Sequence, residues 1–190
     1  MAYWRLGDAS ASIGEAVDAT GNGNTGLSED GTLEFVTDSL VPPDTDGSVS
    51  LNGDRFLVEG FDKVDTGFTV ELWAQVDAAT GGFANLVGDG DGGLNFMLML
   101  YMTPSGQVRP HVQTDAGFGS LDSIRRIDDG GLHHLVSTWD EASGEMILYI
   151  DGAPAETRVS AGTFPTTGTA INDENPIFIG RDNREAGWDG

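Results

Sequence analysis

The sequence has no cysteine, a single lysine and no apolar run long enough to cross a bilayer. Each absence removes a class of protein. Without cysteine there are no disulfides and no thiolate metal sites. The longest apolar run, near residues 94–102, falls far short of the ~20 residues that a membrane-spanning helix needs. The opening Met1-Ala2-Tyr3-Trp4-Arg5 lacks the basic and apolar regions of a secretory signal. No segment keeps a helical period over three turns, and there are no low-complexity tails, charge blocks or clear internal repeats.

Positive charge is scarce as well. Nine Lys and Arg face 31 Asp and Glu, for a net charge of −22. A polyanion or an anionic membrane surface would be repelled, so nucleic acid and membrane insertion are excluded as modes of action. The same self-repulsion weakens a compact state in dilute buffer. Molar salt shortens electrostatic screening to about 3 Å and removes most of that cost. Lys63 is the only lysine, and the other eight basic residues are arginines. Abundant Asp and Glu with almost no Lys resembles the proteins of extreme halophiles; an acidic protein from an ordinary organism is the other reading. There, small hydrated carboxylates replace long apolar lysine stems on the surface.

What is present points to strands. The 190 residues suit one domain, and 38% hydrophobic residues suffice for a core. The 28 glycines fall between short apolar runs, as tight turns between many strands require. In Phe68-Thr69-Val70-Glu71-Leu72-Trp73-Ala74-Gln75-Val76, residues Val70, Leu72, Ala74 and Val76 share one face. Glu71, Trp73 and Gln75 share the other. In 108–113, Val108 and Val112 lie opposite Arg109, His111 and Gln113. Further strands are expected at residues 2–6, 48–51, 55–58, 83–87, 94–102, 132–139, 145–150 and 176–179. Turns are expected at Gly88-Asp89-Gly90-Asp91-Gly92-Gly93 and Asp151-Gly152. The count and spacing predict an all-β, two-sheet sandwich without an internal domain boundary.

Several strings, in order along nearly the whole chain, resemble the laminin G-like domains of the concanavalin A-like superfamily. They are Ala2-Tyr3-Trp4-Arg5-Leu6, Asp18-Ala19-Thr20-Gly21-Asn22-Gly23-Asn24-Thr25-Gly26, Phe68-Thr69-Val70-Glu71-Leu72-Trp73, Gly131-Leu132-His133-His134-Leu135-Val136, Leu148-Tyr149-Ile150-Asp151-Gly152, Ile177-Phe178-Ile179-Gly180 and Gly187-Trp188-Asp189-Gly190. The resemblance implies an antiparallel jelly roll in one domain over 1–190. Family members continue with a further strand after the last of these strings. The expectation is therefore a domain lacking its last strand, N-terminal to others in a longer parent.

The resemblance also bears on sites. It implies a structural calcium ion at the Asn/Gly loop, with Asp18, Asn22 and Asn24 offering hard oxygens. A plain glycine-rich turn held by Asx hydrogen bonds is the other reading of the same loop. Asp89-Gly90-Asp91-Gly92-Gly93 lacks the later Glu of an EF-hand and reads as a hairpin turn. Catalysis is not expected. Glycosidases of this superfamily carry paired carboxylates on one strand, within about 5.5 Å for retaining enzymes. Here Glu71 stands alone, and no G-x-S-x-G elbow occurs. His133 and His134 are adjacent on a strand, so they face opposite ways and cannot share an ion.

A binding groove is the sharper candidate. If their strands neighbour one another in a concave sheet, Glu71, Trp73 and Gln75, Asn95, Met97, Met99 and Tyr101, and Arg109, His111 and Gln113 form one patch. Trp73, Tyr101, Arg109, His111 and Gln113 would then bind a sugar by stacking and paired hydrogen bonds. Trp73 and the methionines also admit a packing role. The expected function is a non-catalytic carbohydrate- or glycoprotein-binding adhesion module. Its expected setting is the surface of a virion of a halophilic archaeal virus, as a spike, fibre or decoration domain used in host attachment. Its expected partners are a cell-surface glycan or glycoprotein, other virion proteins or identical copies. A purely structural virion protein and a haloarchaeal cell-surface adhesion protein are the alternatives.

Overall fold

A computed structural model describes residues 1–6, 14–29, 34–36, 47–51, 54–63, 66–76, 82–89, 98–171 and 175–180. Fifteen strands follow one another in chain order, with no helix among the described residues. They are β1 (Glu15–Ala16), β2 (Gly26–Ser28), β3 (Glu34–Val36), β4 (Ser48–Ser50), β5 (Arg55–Val58), β6 (Gly67–Gln75), β7 (Ala84–Asp89), β8 (Leu98–Met102), β9 (Val108–Thr114), β10 (Gly117–Ser123), β11 (Leu132–Asp140), β12 (Glu145–Ile150), β13 (Ala153–Pro154), β14 (Thr157–Gly162) and β15 (Ile177–Gly180). All pairings between them are antiparallel. A nine-stranded sheet runs β1-β2-β5-β15-β7-β8-β9-β10-β14, and a four-stranded sheet runs β13-β12-β11-β6. β3 and β4 pair separately.

The two-sheet sandwich expected from alternation is therefore present, with its core where the alternation puts it. Leu98, Leu100 and Met102 of β8 and Val108 and Val112 of β9 face Leu135 and Trp139 of β11 and Met146, Leu148 and Ile150 of β12. Val70, Leu72, Ala74 and Val76 pack onto the same core from the β6 side. A third cluster, Ala16, Phe56 and Ile179 with Trp4, closes the far end of the large sheet. Eight of the expected strands match within one or two residues. The stretch 94–102 is described only from Leu98, and there it is strand. Residues 2–6 do not form a strand: Trp4 makes one isolated bridge, to Asp18. Short strands with few apolar residues escaped the alternation, among them β10 and β14, where Gly and Ser dilute the pattern.

Turn chemistry fixes the register where it is tightest. Asp151 and Gly152 link β12 to β13, and both have positive φ, at 54° and 79°. That pair of angles is the type I′ hairpin turn for which Asp-Gly is suited. The Asp151 carboxylate then accepts from the His134 backbone N–H at 3.0 Å, tying the turn to β11.

Charge is handled differently inside and outside. Lys63, the sole lysine, is buried, and its Nζ donates to Asp89 Oδ2 at 2.6 Å and to the Asn175 carbonyl at 3.0 Å. Asp89 Oδ1 accepts from the Leu98 N–H at 3.0 Å, so the pair bridges β7 to the start of β8. The protein surface consequently presents no lysine at all.

Candidate functional site

The outward face of the large sheet over β8, β9, β10 and β14 is built by alternation. Core positions are taken by Leu100, Met102, Val108 and Val112, so Met99, Tyr101, Arg109, His111 and Gln113 lie on the other face of the sheet, where Tyr101, Arg109 and Gln113 are half-buried and Met99 and His111 are buried. Tyr101 lies opposite Arg109, and Met99 opposite His111. β10 then adds Phe118 opposite Gln113 and Ser120 opposite His111. β14 adds Arg158 opposite Asp122.

These side chains form a tied row. Arg109 donates to Asp122 through Nε to Oδ1 at 2.5 Å and through Nη2 to Oδ2 at 3.1 Å. Its guanidinium carbon lies 5.7 Å from the Tyr101 ring centre and 5.8 Å from that of Phe83. The Phe83 and Tyr101 rings are themselves 5.8 Å apart. Partial burial of Arg109 disfavours its charge, but the hydrogen bonds with Asp122 and Tyr101 outweigh this and hold its pKa above the ordinary value. Arg158 reaches the shared Asp122 at 3.6 Å and Gln107 Oε1 at 3.4 Å. Beside this row, His111 Nδ1 meets Ser120 Oγ at 2.7 Å, and its ring stacks on Phe118 at 5.7 Å. Phe118 is 44% exposed, so the aromatic surface is presented to solvent. A rigid aromatic next to fixed donors and acceptors can stack a flat apolar ring face and hydrogen-bond its hydroxyls.

Tyr101, Arg109, His111 and Gln113 are thus brought together as the sequence implied. Trp73 is not, and this corrects the expected single patch. β6 pairs with β11 in the small sheet, so Glu71, Trp73 and Gln75 point outward on the opposite side of the sandwich. Alternation fixes which way a side chain faces within its sheet, but not which sheet holds the strand. Trp73 there is 50% exposed and stacks on His134 at 4.6 Å, and His134 Nε2 meets Glu71 Oε1 at 2.8 Å. Asn95, Met97 and residues 90–93 of the glycine-rich turn lie outside the described residues. Phe83, Phe118, Ser120, Asp122 and Arg158 were missed. Only the Phe-x-x-x-Asp spacing within β10, which puts Phe118 and Asp122 on one face by alternation, could have signalled any of them.

The Asn/Gly loop brings its residues together as a hydrogen-bonded hub. The buried Asp18 Oδ1 accepts from the Tyr3 N–H at 3.1 Å, the Thr20 N–H at 3.0 Å and Thr20 Oγ1 at 2.7 Å. Oδ2 accepts from the Asn24 N–H at 3.2 Å and Asn24 Nδ2 at 2.9 Å. Burial alone would raise the Asp18 pKa, but these donors overcome it and hold the carboxyl far below the usual range. The Asn22 amide donates to the Met1 carbonyl at 3.0 Å instead of turning its oxygen toward Asp18. Three donors thus converge on Oδ1 and two on Oδ2. This arrangement is the glycine-rich turn held by Asx hydrogen bonds that the loop's sequence also admits. Among the described residues, no three or more His, Asp or Glu gather in a way that could hold a metal.

At the rim of the small sheet, the buried His133 sits between two carboxylates. Its Nε2 is 3.0 Å from Asp129 and its Nδ1 is 3.1 Å from Asp151. Asp129 is held below its ordinary pKa by the Gly131 N–H and by His133. Asp151 is held low by His133, His134 and Arg125 against the effect of its own burial. His133 and His134 face opposite ways, as adjacent strand residues must, and share no ligand.

A family model for the concanavalin A-like lectin/glucanases superfamily, of the Laminin_G_3 type, matches residues 43–190. The chain belongs to this laminin G-like family. Its members' fold also recurs in solved structures. Domains LG4-5 of the mouse laminin alpha1 chain superpose with a TM-score of 0.51 at 15% identity, over 68% of this chain and 32% of that one. A Trypanosoma rangeli sialidase gives 0.52 at 16% identity, over 94% and 27%. The binding domain of botulinum neurotoxin serotype C1 gives 0.53 at 12% identity, over 88% and 42%. The laminin G-like chain spans between about a quarter and under half of these proteins, and the likeness is one of fold. No curated protein is significantly similar to it in sequence. No helix of the described residues is long and apolar enough to cross a membrane.

Proposed function

We propose that this laminin G-like domain is a non-catalytic carbohydrate-binding module whose ligand lies on the outward face of β8, β9, β10 and β14. The observation that carries the reading is the row Phe83–Tyr101–Arg109–Asp122, held by ring contacts and the two-pronged Arg109–Asp122 pair, with the exposed Phe118 further along β10. Its side chains are ordered before a ligand arrives, so binding costs little conformational entropy. The fold shared with a sialidase and with a toxin's binding domain is in keeping with this role.

The module works outside the cell in high salt, as a virion surface or cell-surface attachment domain. An acidic exterior whose single lysine is sequestered with Asp89 supports that setting. The test is a glycan array in molar KCl. Wild-type protein binds a defined subset of glycans, and Tyr101→Ala weakens that binding. An array that captures nothing in molar salt would contradict the reading. Electron micrographs of particles carrying the chain in symmetric copies would place it on a virion.

A further inference from the structure

The nine-stranded sheet ends at β14, and the surface there differs from the rest of the chain. Among the described residues β14 pairs on one side alone, with β10. Five of its six residues are exposed. Its other side therefore presents backbone N–H and C=O groups, the template on which a further strand is laid. The strand holds no proline and no lysine, and its one charge is Arg158.

Apolar side chains are exposed along this edge. Val159 lies opposite the core residue Leu121 yet is 56% exposed, so core packing stops one strand short of the edge. Ile124 is 52% exposed beside one end of β14, where its N–H donates to the Glu156 carbonyl at 2.7 Å. Phe118 is exposed beside the other end, where its carbonyl accepts from the Thr163 N–H at 3.1 Å. Exposed apolar groups that gather, rather than scatter singly, mark a contact surface.

Charge selects the partner. At a net −22, two copies of the chain repel one another over most of their surfaces. The β14 edge is the exception. The sequence contains no Asp or Glu from Thr157 to Asn172, and Asp122 on the neighbouring strand is taken by Arg109. A basic partner would be drawn to the acidic remainder of the molecule instead. A second copy approaches closely only where acid is missing.

We infer that β14 pairs with β14 of a second copy, antiparallel about a two-fold axis centred on the strand, so that two nine-stranded sheets become one. A strand laid against its own copy in this way makes a closed, isologous contact. The axis stands perpendicular to the sheet. Val159 of each copy then lies near it, and the outward faces of both copies point the same way. Arg109 is on β9, two strands in from the edge. The two Arg109 rows are then five strand spacings apart, roughly 24 Å at about 4.8 Å each. Under the glycan-binding reading above, rows so placed engage neighbouring glycans on one surface together and gain avidity without a new contact. The pairing itself does not depend on that reading.

The experiment is sedimentation of the full chain in molar KCl at about 0.1 mM, a concentration that saturates a contact of micromolar strength. Wild type should sediment at twice the 20.0 kDa mass of one chain. Val159→Glu changes an exposed side chain, keeps the fold, and should lower the dimer's affinity at least tenfold. Because the sequence has no cysteine, single-thiol variants then locate the contact. Val159→Cys should give a disulfide-linked dimer on mild oxidation. Val17→Cys, exposed next to β1 at the opposite edge of the sheet, should not. Wild type that sediments as a monomer overturns the inference. So does a dimer untouched by Val159→Glu, or cross-linking that is equal through Val17→Cys.

Discussion

The two outward faces of the sandwich use similar residues to different ends. On the small sheet, Trp73 stacks on His134, which meets Glu71, and three carboxylates share the strands without a Lys or Arg. On the large sheet, the guanidinium of Arg109 lies against the paired rings of Phe83 and Tyr101 and is itself clamped by Asp122. An exposed aromatic alone does not define a binding face. What separates the two is the local charge and the degree to which polar partners are fixed in place before a ligand arrives. The tethering of charges follows the same division. The large sheet buries a Lys63–Asp89 pair, whereas Arg125–Asp151 at the rim of the small sheet is half exposed.

The largest expected effect comes from breaking that buried tether. Lys63→Ala leaves Asp89 as an uncompensated buried charge and should cost about 3–5 kcal/mol, read as the shift in a denaturant midpoint in molar salt. Arg125→Ala, at the exposed pair, should cost about 1 kcal/mol or less. Equal costs for the two variants would erase the distinction between the sheets. Next, Tyr101→Ala and His111→Ala should weaken glycan binding about tenfold, equivalent to roughly 1.4 kcal/mol. Trp73→Ala on the other face should leave it unchanged. A binding loss confined to Trp73→Ala would move the site to the small sheet.

Salt offers a third route. Dilution from molar KCl to about 0.1 M lengthens screening to roughly 10 Å and should lower the melting temperature of the whole domain. A melting curve that is flat with salt would contradict the halophilic reading of the charge.

The smallest effects concern the loop at Asp18. Its carboxyl has a lower pKa in the folded state than in the unfolded one. Its contribution is therefore full above the ordinary value of 3.8 and is lost as pH falls below it. Asp18→Asn should lower the melting temperature by several degrees at neutral pH and flatten the acid limb of the stability profile. Chelator should leave the wild-type melt unmoved, because donors and not a metal hold the carboxylate. A melting temperature that falls with chelator and recovers with calcium would show that the loop rearranges around an ion.

Much of the fold was legible because alternation over five or more residues survives in β6, β8, β9, β11 and β12. These are the strands that line the core, where one face must be apolar. β10 and β14 were not legible, because Gly117, Gly119, Ser120 and Ser123 and the exposed Thr157–Gly162 edge carry too few apolar residues to alternate. The site was half legible for a related reason. Tyr101, Arg109, His111 and Gln113 sit on strands adjacent in sequence that pair by a short turn, so their neighbourhood is local. Trp73 failed because the pairing partner of β6 lies some sixty residues away at β11, a choice made by the packing of two layers. Asp122 and Arg158 come together across the β10–β14 pairing, which a bulge at Ser120/Leu121 shifts, and such shifts leave no clear trace in composition.

The account rests on where a glycan binds. Binding to a glycan array in molar KCl, compared among wild type, Tyr101→Ala and Trp73→Ala, tests it most directly. The account predicts glycan capture by wild type and Trp73→Ala, with strongly reduced capture by Tyr101→Ala. Capture that survives Tyr101→Ala at full strength, in a variant that still folds, would contradict it.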